Sequence, residues 1–541
     1  MTVRIDRRSF LLTGTLGLGA FAIPGFAQTA TVAAARGFTH AVASGEPGTE
    51  SMLLWTRYVA SGDSAKLRVE VSESGDFAKI VAGGEAITGP WRDWTAKITV
   101  TGLKPGTRYH YRFIAPDGTM SPVGRTRTLP QGDISRFGIA IFSCSNIGFG
   151  YFNAYAHAAV RDDIDLAVHL GDYIYEYPHG FYPTAAQLVD SRLPLPATEI
   201  LHLADYRLRY ASYRSDPDLQ ALHTAKPMLI QWDDHEAAND AWEGGAQNHM
   251  SATEGEWSIR RAAAIQAWRE WMPVSDEPWK SYQIGRLATL FRTETRLGAR
   301  TRPPSAAPLL AADDPVAALK AFRDGAWQDP AMTMMGWAQE AWIAAELARS
   351  VKAGTHWQVA GFGTIMGRSV TPKQAVEWLR PDAPESVKRL VTGGVKLAAL
   401  GLPMNLDNWG GYPAARARFL KAAQAANANL VVIAGDSHNA WAFDLAQDGK
   451  PAGVEFAGHA VTSPGYEGST AADPKVIAAA LVETNRELTW SDTSQRGYMA
   501  LTLTPQRVRN DWIFVDTVLQ RTPSARIGHS AVVLPGRRIM A

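Results

Sequence analysis

The sequence predicts an α/β body of alternating strands and helices, preceded by a small all-β domain. Three observations carry this. Four short apolar runs, at Phe137–Phe142, 165–170, 228–231 and Leu430–Ala434, each stop at a cluster of polar residues. Helical stretches stand between and after them, at 259–271, 336–351 and 414–426. Ahead of them, residues 37–128 hold short alternating runs separated by Gly and Pro turns. Strands alternating with helices imply a layered α/β fold, and short strands at this spacing imply a sandwich.

Taken in order, residues 1–27 read as a targeting segment. Arg7-Arg8-Ser9-Phe10-Leu11-Leu12 is a twin-arginine pattern, followed by a mildly apolar, glycine-containing stretch to Ile23 and by small residues near Ala27. Such a segment is cleaved on export by the twin-arginine machinery and lies outside the fold. Its apolar run is too short and glycine-rich to remain as a membrane anchor. Cleavage removes Arg4, Arg7, Arg8 and Asp6, so the formal charge of +1 becomes −1. That balance offers no basic excess for a nucleic-acid surface. Cys144 is the single cysteine, so an exported chain has no internal disulfide.

Residues 28–36 are small and Ala-rich, a loose start to the mature chain. Within 37–128, strands are expected at 51–57, 66–72, 95–100 and 109–114. The stretch Leu103-Lys-Pro-Gly-Thr-Arg-Tyr-His-Tyr111 resembles the corner of fibronectin-type modules. The larger body is expected over 129–541. Its segments 178–227 and 297–335 read as long irregular loops, of the kind that wall a substrate site. Near the end, 497–515 with Pro505 between two alternating runs reads as a hairpin.

The chemistry lies where the four apolar runs stop. In open α/β sheets ligands bind beyond the carboxyl ends of the strands. There the sequence places Ser143-Cys144-Ser145-Asn146, Gly171-Asp172-Tyr173-Ile174-Tyr175, Trp232-Asp233-Asp234-His235-Glu236 and Gly435-Asp436-Ser437-His438. Asp172 and Tyr175 share a face if the chain turns helically after Gly171. Asp436 and His438 share a side if the chain stays extended. A thiolate, a phenolate, carboxylates and an imidazole at four strand ends suggest one polynuclear metal site. His235 titrates near neutrality and suits a proton donor. Asn239 also fits a helix cap, and Asp233 fits a supporting role.

In this order, Cys144, Gly171-Asp172-x-x-Tyr175, Trp232-Asp-Asp-His-Glu236 and Gly435-Asp-x-His438 resemble the PhoD-type alkaline phosphatases, exported metallophosphoesterases. His40-Ala-Val-Ala-Ser-Gly-Glu-Pro47, Asp407-Asn-Trp-Gly-Gly-Tyr-Pro413, Val461-Thr-Ser-Pro464 and Arg496-Gly-Tyr498 extend the resemblance over nearly the whole mature chain. It implies a layered β-sandwich flanked by helices, and iron(III) and calcium ions in one site. Cys144, Asp172, Tyr175 and His438 would hold the iron. Asp172 would bridge to calcium, with Asp234, Asn239 and Asp436 as further ligands. The reaction implied is hydrolysis of phosphomonoesters, and of diesters, by a metal-activated water; the alternatives are a phospholipase D-like phosphodiesterase and a non-catalytic exported binding module on the same fold. His235 would then be catalytic beside Asp172, and Arg296 and Asn146 would contact a small phosphate-ester substrate. Two positions depart from the family pattern: Glu46 stands for Asp, and Thr293-Glu294-Thr295-Arg296 stands for Asp-Thr-Arg.

Overall fold

The structure is a computed structural model that describes residues 35–189 and 191–541. The twin-arginine segment, 1–27, lies outside the described residues. Among those described, no helix is long and apolar enough to cross a membrane.

Two large sheets pack face to face. The first has nine strands, in the order Ala525–Val533, Val508–Val515, Gly497–Leu503, Phe137–Phe142, Leu166–His169, Pro227–Ile230, Gly37–Gly45, Ser51–Val59 and Thr95–Thr101. The second has seven, in the order Lys280–Ile284, Ala288–Arg292, Trp357–Phe362, Leu430–Ala434, Lys450–Ala457, Ala440–Gln447 and Leu488–Asp492. Each has a parallel centre: Phe137–Phe142, Leu166–His169, Pro227–Ile230 and Gly37–Gly45 in one, and Ala288–Arg292, Trp357–Phe362, Leu430–Ala434 and Lys450–Ala457 in the other.

Strand alternation explains the layering. Ile139, Ile141, Val168 and Leu229 point one way and meet Leu290, Val359, Val431 and Ile433 between the sheets. Ala140, Phe142, Ala167 and Met228 point the other way, onto helices Asn153–Ala159, Leu203–Arg214, Pro217–Ala225 and Trp257–Trp271. On the far side of the second sheet, Ala360, Phe362 and Val432 pack on helices Trp337–Lys352, Pro413–Ala425 and Pro474–Thr484. These strands are apolar on both faces because both faces are covered. The expected layered α/β sandwich is the observed one.

The N-terminal β region has its own core, around Val42, Leu54, Val69, Tyr109 and Tyr111. The corner hydrogen bond is present: the Lys104 N–H donates to Tyr109 Oη at 2.8 Å. One of its layers is the four-stranded sheet of Ile80–Thr88, Ala65–Ser72, Arg108–Ile114 and Gly124–Arg127. The other is the end of the nine-stranded sheet, because Gly37–Gly45 pairs in parallel with Pro227–Ile230. The regions on either side of the expected boundary near residue 128 therefore share one sheet.

The segment 178–227 differs from the irregular loop expected. It contains helices Leu203–Arg214 and Pro217–Ala225. The first buries Tyr206, Tyr210 and Tyr213 at helical spacing, together with Arg209 and Arg214. Buried arginines among tyrosines blur its apolar stripe. In 297–335, short helices Ala307–Leu310 and Pro315–Asp324 pack on Leu397 and Leu402.

Candidate metal centre

The four expected clusters meet at one end of the sandwich, three from the first sheet and one from the second. Backbone bonds lace them together. The Cys144 N–H donates to Gly171 O at 3.2 Å and the Ser145 N–H to Asp172 O at 2.9 Å. Glu236 ties two more loops, its carboxylate accepting from the N–H groups of Asp172, Tyr173 and Asp233. Cys144, Asp172, Asp436 and His438 all have positive φ, between 55° and 63°. Non-glycine residues in this region carry a cost of about 1–3 kcal/mol each and cluster at functional sites.

Three overlapping groups of donor atoms run through the site: Cys144, Asp172 and His438; Asp172, Asp234 and His235; and Asp233, Asp234 and Asp436. Within each, the ligand atoms lie within 4.8 Å of one another. Asp172 belongs to two groups, as a bridging carboxylate must. Tyr175 completes the first, its hydroxyl 3.2 Å from Asp172 Oδ2 and 3.3 Å from His438 Nε2. Ser463 donates to the same phenolic oxygen at 2.8 Å.

The donors suit a cation. Asp172 Oδ1 is buried with no hydrogen-bond partner among the described residues. Burial, with neighbouring carboxylates, raises the pKa of Asp172 and of Asp436 well above the carboxylate range. Burial and Asp172 likewise raise the Cys144 thiol and the Tyr175 phenol. A bound cation reverses these preferences and deprotonates such ligands. Burial lowers His438 to about 4. Its Nδ1–H donates to Pro464 O at 2.9 Å, which leaves the Nε2 lone pair toward the site. Thiolate, phenolate and imidazole suit a transition metal, whereas the carboxylate end suits a hard divalent ion.

His235 sits beside the carboxylate end. Its Nδ1–H donates to Glu176 Oε2 at 2.7 Å, and its ring packs on Tyr175 with centroids 4.2 Å apart. Burial acts against its charge, but Asp234, Glu176 and Asp172 outweigh burial and raise its pKa well above the usual value. Glu176 Oε1 also accepts from the Asn239 N–H and from Asn248 Nδ2. Asn239 lies in the turn around Asp234, whose Oδ2 accepts from the Asp240 N–H at 2.7 Å. The Asn239 amide donates to Gln247, so its carbonyl oxygen is the donor left for a cation.

Two expected substrate contacts are placed otherwise. Arg296 is fully buried, with Nε and Nη2 on the two Asp233 oxygens at 2.7 and 2.9 Å and Nη1 on Asp407 Oδ2 at 2.5 Å. Its guanidinium is spent on carboxylates that would otherwise repel one another. Asn146 caps the turn after the first strand: its oxygen accepts from the Gly148 N–H and its NH2 donates to Tyr182 O. Both side chains are engaged by protein groups. Asp233, expected in a supporting role, accepts from Arg296 on both oxygens and also lies in the third donor group, and His169 is a core histidine bonded to Tyr155 Oη at 2.9 Å. Glu176, Glu236 and Asp407 were missed as site residues. The first two directly adjoin expected ones, at Tyr175-Glu176 and His235-Glu236, which was the available signal.

The family model for PhoD-like phosphatase matches residues 139–512, and the model for the PhoD-like phosphatase N-terminal domain matches residues 25–130. Alkaline phosphatase D of Bacillus subtilis (strain 168) is 30% identical over 526 residues, covering 91% of this chain and 80% of that protein. A solved structure of PhoD superposes with a TM-score of 0.77 at 28% identity, covering 94% of this chain and 92% of that one. The chain belongs to the PhoD-like phosphatases and is a phosphoric ester hydrolase of the alkaline phosphatase D type.

Proposed function

We propose that the protein is exported by the twin-arginine route and hydrolyses both phosphomonoesters and phosphodiesters at an iron and calcium site. The observation that carries this reading is Asp172, whose carboxylate is shared between a thiol–phenol–imidazole group and a second group with Asp234 and His235, which Asp234 links on to Asp233 and Asp436. Cys144, Tyr175 and His438 with Asp172 would hold iron(III). Asp172, Asp234, Asn239 and Asp436 would hold calcium. When bound, the ions supply Lewis acidity to the phosphoryl oxygens and lower the pKa of a water.

The remaining steps belong to the chain. Glu176 fixes the His235 imidazole with its proton on Nδ1, so Nε2 is the atom turned to the leaving oxygen. A histidine in that position protonates the departing alkoxide. Arg296 balances Asp233 and Asp407, which keeps the carboxylate end from collapsing outward. The segments 178–227 and 297–335 set how large an ester arm fits.

The test is turnover of a phenyl monoester and its diester before and after chelation, with calcium, magnesium and zinc added back. Calcium restores activity while iron, with its visible charge-transfer band, stays bound throughout. Cys144→Ala and Tyr175→Phe shift or remove that band. Rescue by zinc and not calcium, or a colourless active enzyme, would overturn the metal assignment.

A further inference from the structure

We propose that Tyr177, Phe181 and Tyr182 form an aromatic shelf for the organic arm of the ester, so that the enzyme selects phosphate esters whose arm carries a planar aromatic ring. This rests on the hydrolytic reading above and names the substrate class of that same site.

The shelf follows directly from the site in sequence, as Tyr177-Pro-His-Gly-Phe-Tyr-Pro183. It contains no acidic residue, lysine or arginine, and its one histidine, His179, is turned to the Pro194 carbonyl. No formal charge in it grips a charged arm. What it offers is rings. Tyr177 packs edge-on to His235 with centroids 5.4 Å apart. Phe181 lies 4.9 Å from Tyr177, and Tyr182 lies 5.9 Å from it. Tyr182 stacks over His438 at 6.5 Å with only 17° between the planes. The array is therefore continuous with both imidazoles of the metal centre.

Its inner and outer parts differ. Tyr182 is pinned, with Phe149 against its ring at 4.8 Å. Tyr177 is half-buried. Phe181 is 63% exposed. A phenylalanine that open contributes little to folding, since the apolar gain comes from area removed from water. The leaving oxygen takes its proton at His235, and of the two tyrosine rings beside His235 Tyr175 is buried in the site while Tyr177 is the half-buried one that leads outward. The arm on that oxygen thus passes over Tyr177 toward Phe181. Offset and edge-to-face pairs favour an aromatic guest over an alkyl one of equal area.

The experiment compares kcat/KM for 1-naphthyl phosphate and glycerol phosphate in the wild type, Phe181→Ala and Phe181→Tyr. Comparing the aryl-to-alkyl ratio of each variant with that of the wild type cancels the difference in leaving-group reactivity between the two esters. One aromatic pair corresponds to an effect of about two- to ten-fold. The ratio should fall by that factor in Phe181→Ala, mostly through KM, and be restored in Phe181→Tyr. An unchanged ratio, or an equal loss on both esters, overturns the shelf while leaving the hydrolase reading intact. Wild-type protein that cleaves neither ester overturns the hydrolase reading and the shelf with it.

Discussion

Replacing Arg296 by methionine separates two roles that the sequence alone leaves merged. If the guanidinium held substrate, its loss would raise KM for phosphate esters and leave the fold alone. The structure instead gives it two carboxylate partners, Asp233 and Asp407, and a third carboxylate oxygen on Asp234 at 3.9 Å. The guanidinium is fully buried and Asp233 is 1% exposed, so solvent screens this pair little. Breaking a buried pair by removing one partner costs about 3–5 kcal/mol, because the other charge stays buried and unpaired. Such a loss lowers Tm by on the order of 5 °C in a chain of this size. The assay is thermal unfolding of the metal-loaded protein beside steady-state kinetics on one monoester. Arg296→Met should lose stability and kcat together. Arg296→Met/Asp233→Met should regain much of the stability, since the stranded carboxylate is gone. A variant with unchanged Tm and a KM raised ten-fold or more would refute the placement of Arg296 as an internal counter-charge.

Three further outcomes follow from the same geometry. Glu176→Gln should slow alkyl esters by about 10²–10⁴-fold and aryl esters much less, because proton donation matters most for a poor leaving group; equal losses on both would remove His235 from that role. Gly363→Ala would set a methyl group 2.1 Å from Asp233 Oδ1, so it should disturb the Asp233–Arg296 pair; its stability loss should combine with that of Arg296→Met less than additively, and full additivity would show that the two act apart. Acid should unfold the protein through its buried histidines. Burial holds His40, His169 and His459 at about 3, below the ordinary value of 6.5. Each folds neutral, so its stability is present above pH 6.5 and is lost as pH falls toward 3, by up to about 1.4 kcal/mol per pH unit. Urea midpoints between pH 7 and 4.5 measure the slope, and His40→Asn should flatten it; an unchanged slope would clear His40.

The sheets were legible because both of their faces are covered. A strand such as Leu430–Ala434 is buried at every position, so it stands out as an unbroken apolar run that ends where the chemistry begins. The helix Leu203–Arg214 was not legible, since its buried face is built from tyrosines and from Arg209. That guanidinium is satisfied by the backbone carbonyls of Leu195, Tyr177, Pro196 and Thr198, and no local pattern reports such partners. The fate of Arg296 was hidden for the same reason: one of its partners, Asp407, lies 111 residues away. Glu236 serves three backbone N–H groups on two loops, so its neighbours in sequence say nothing of its task. The site residues themselves break local preference. Cys144, Asp172, Asp436 and His438 adopt backbone angles that suit glycine, and Asp172 and Asp436 bury carboxylates beside other carboxylates. Neither feature stabilises the chain by itself. Both are offset if a cation occupies the convergence point, because the same geometry that strains the backbone aims the donors at a shared centre. With a cation bound there, metal affinity and fold stability would be coupled at these four positions, and a substitution that relaxes the backbone should weaken the site even as it eases the fold.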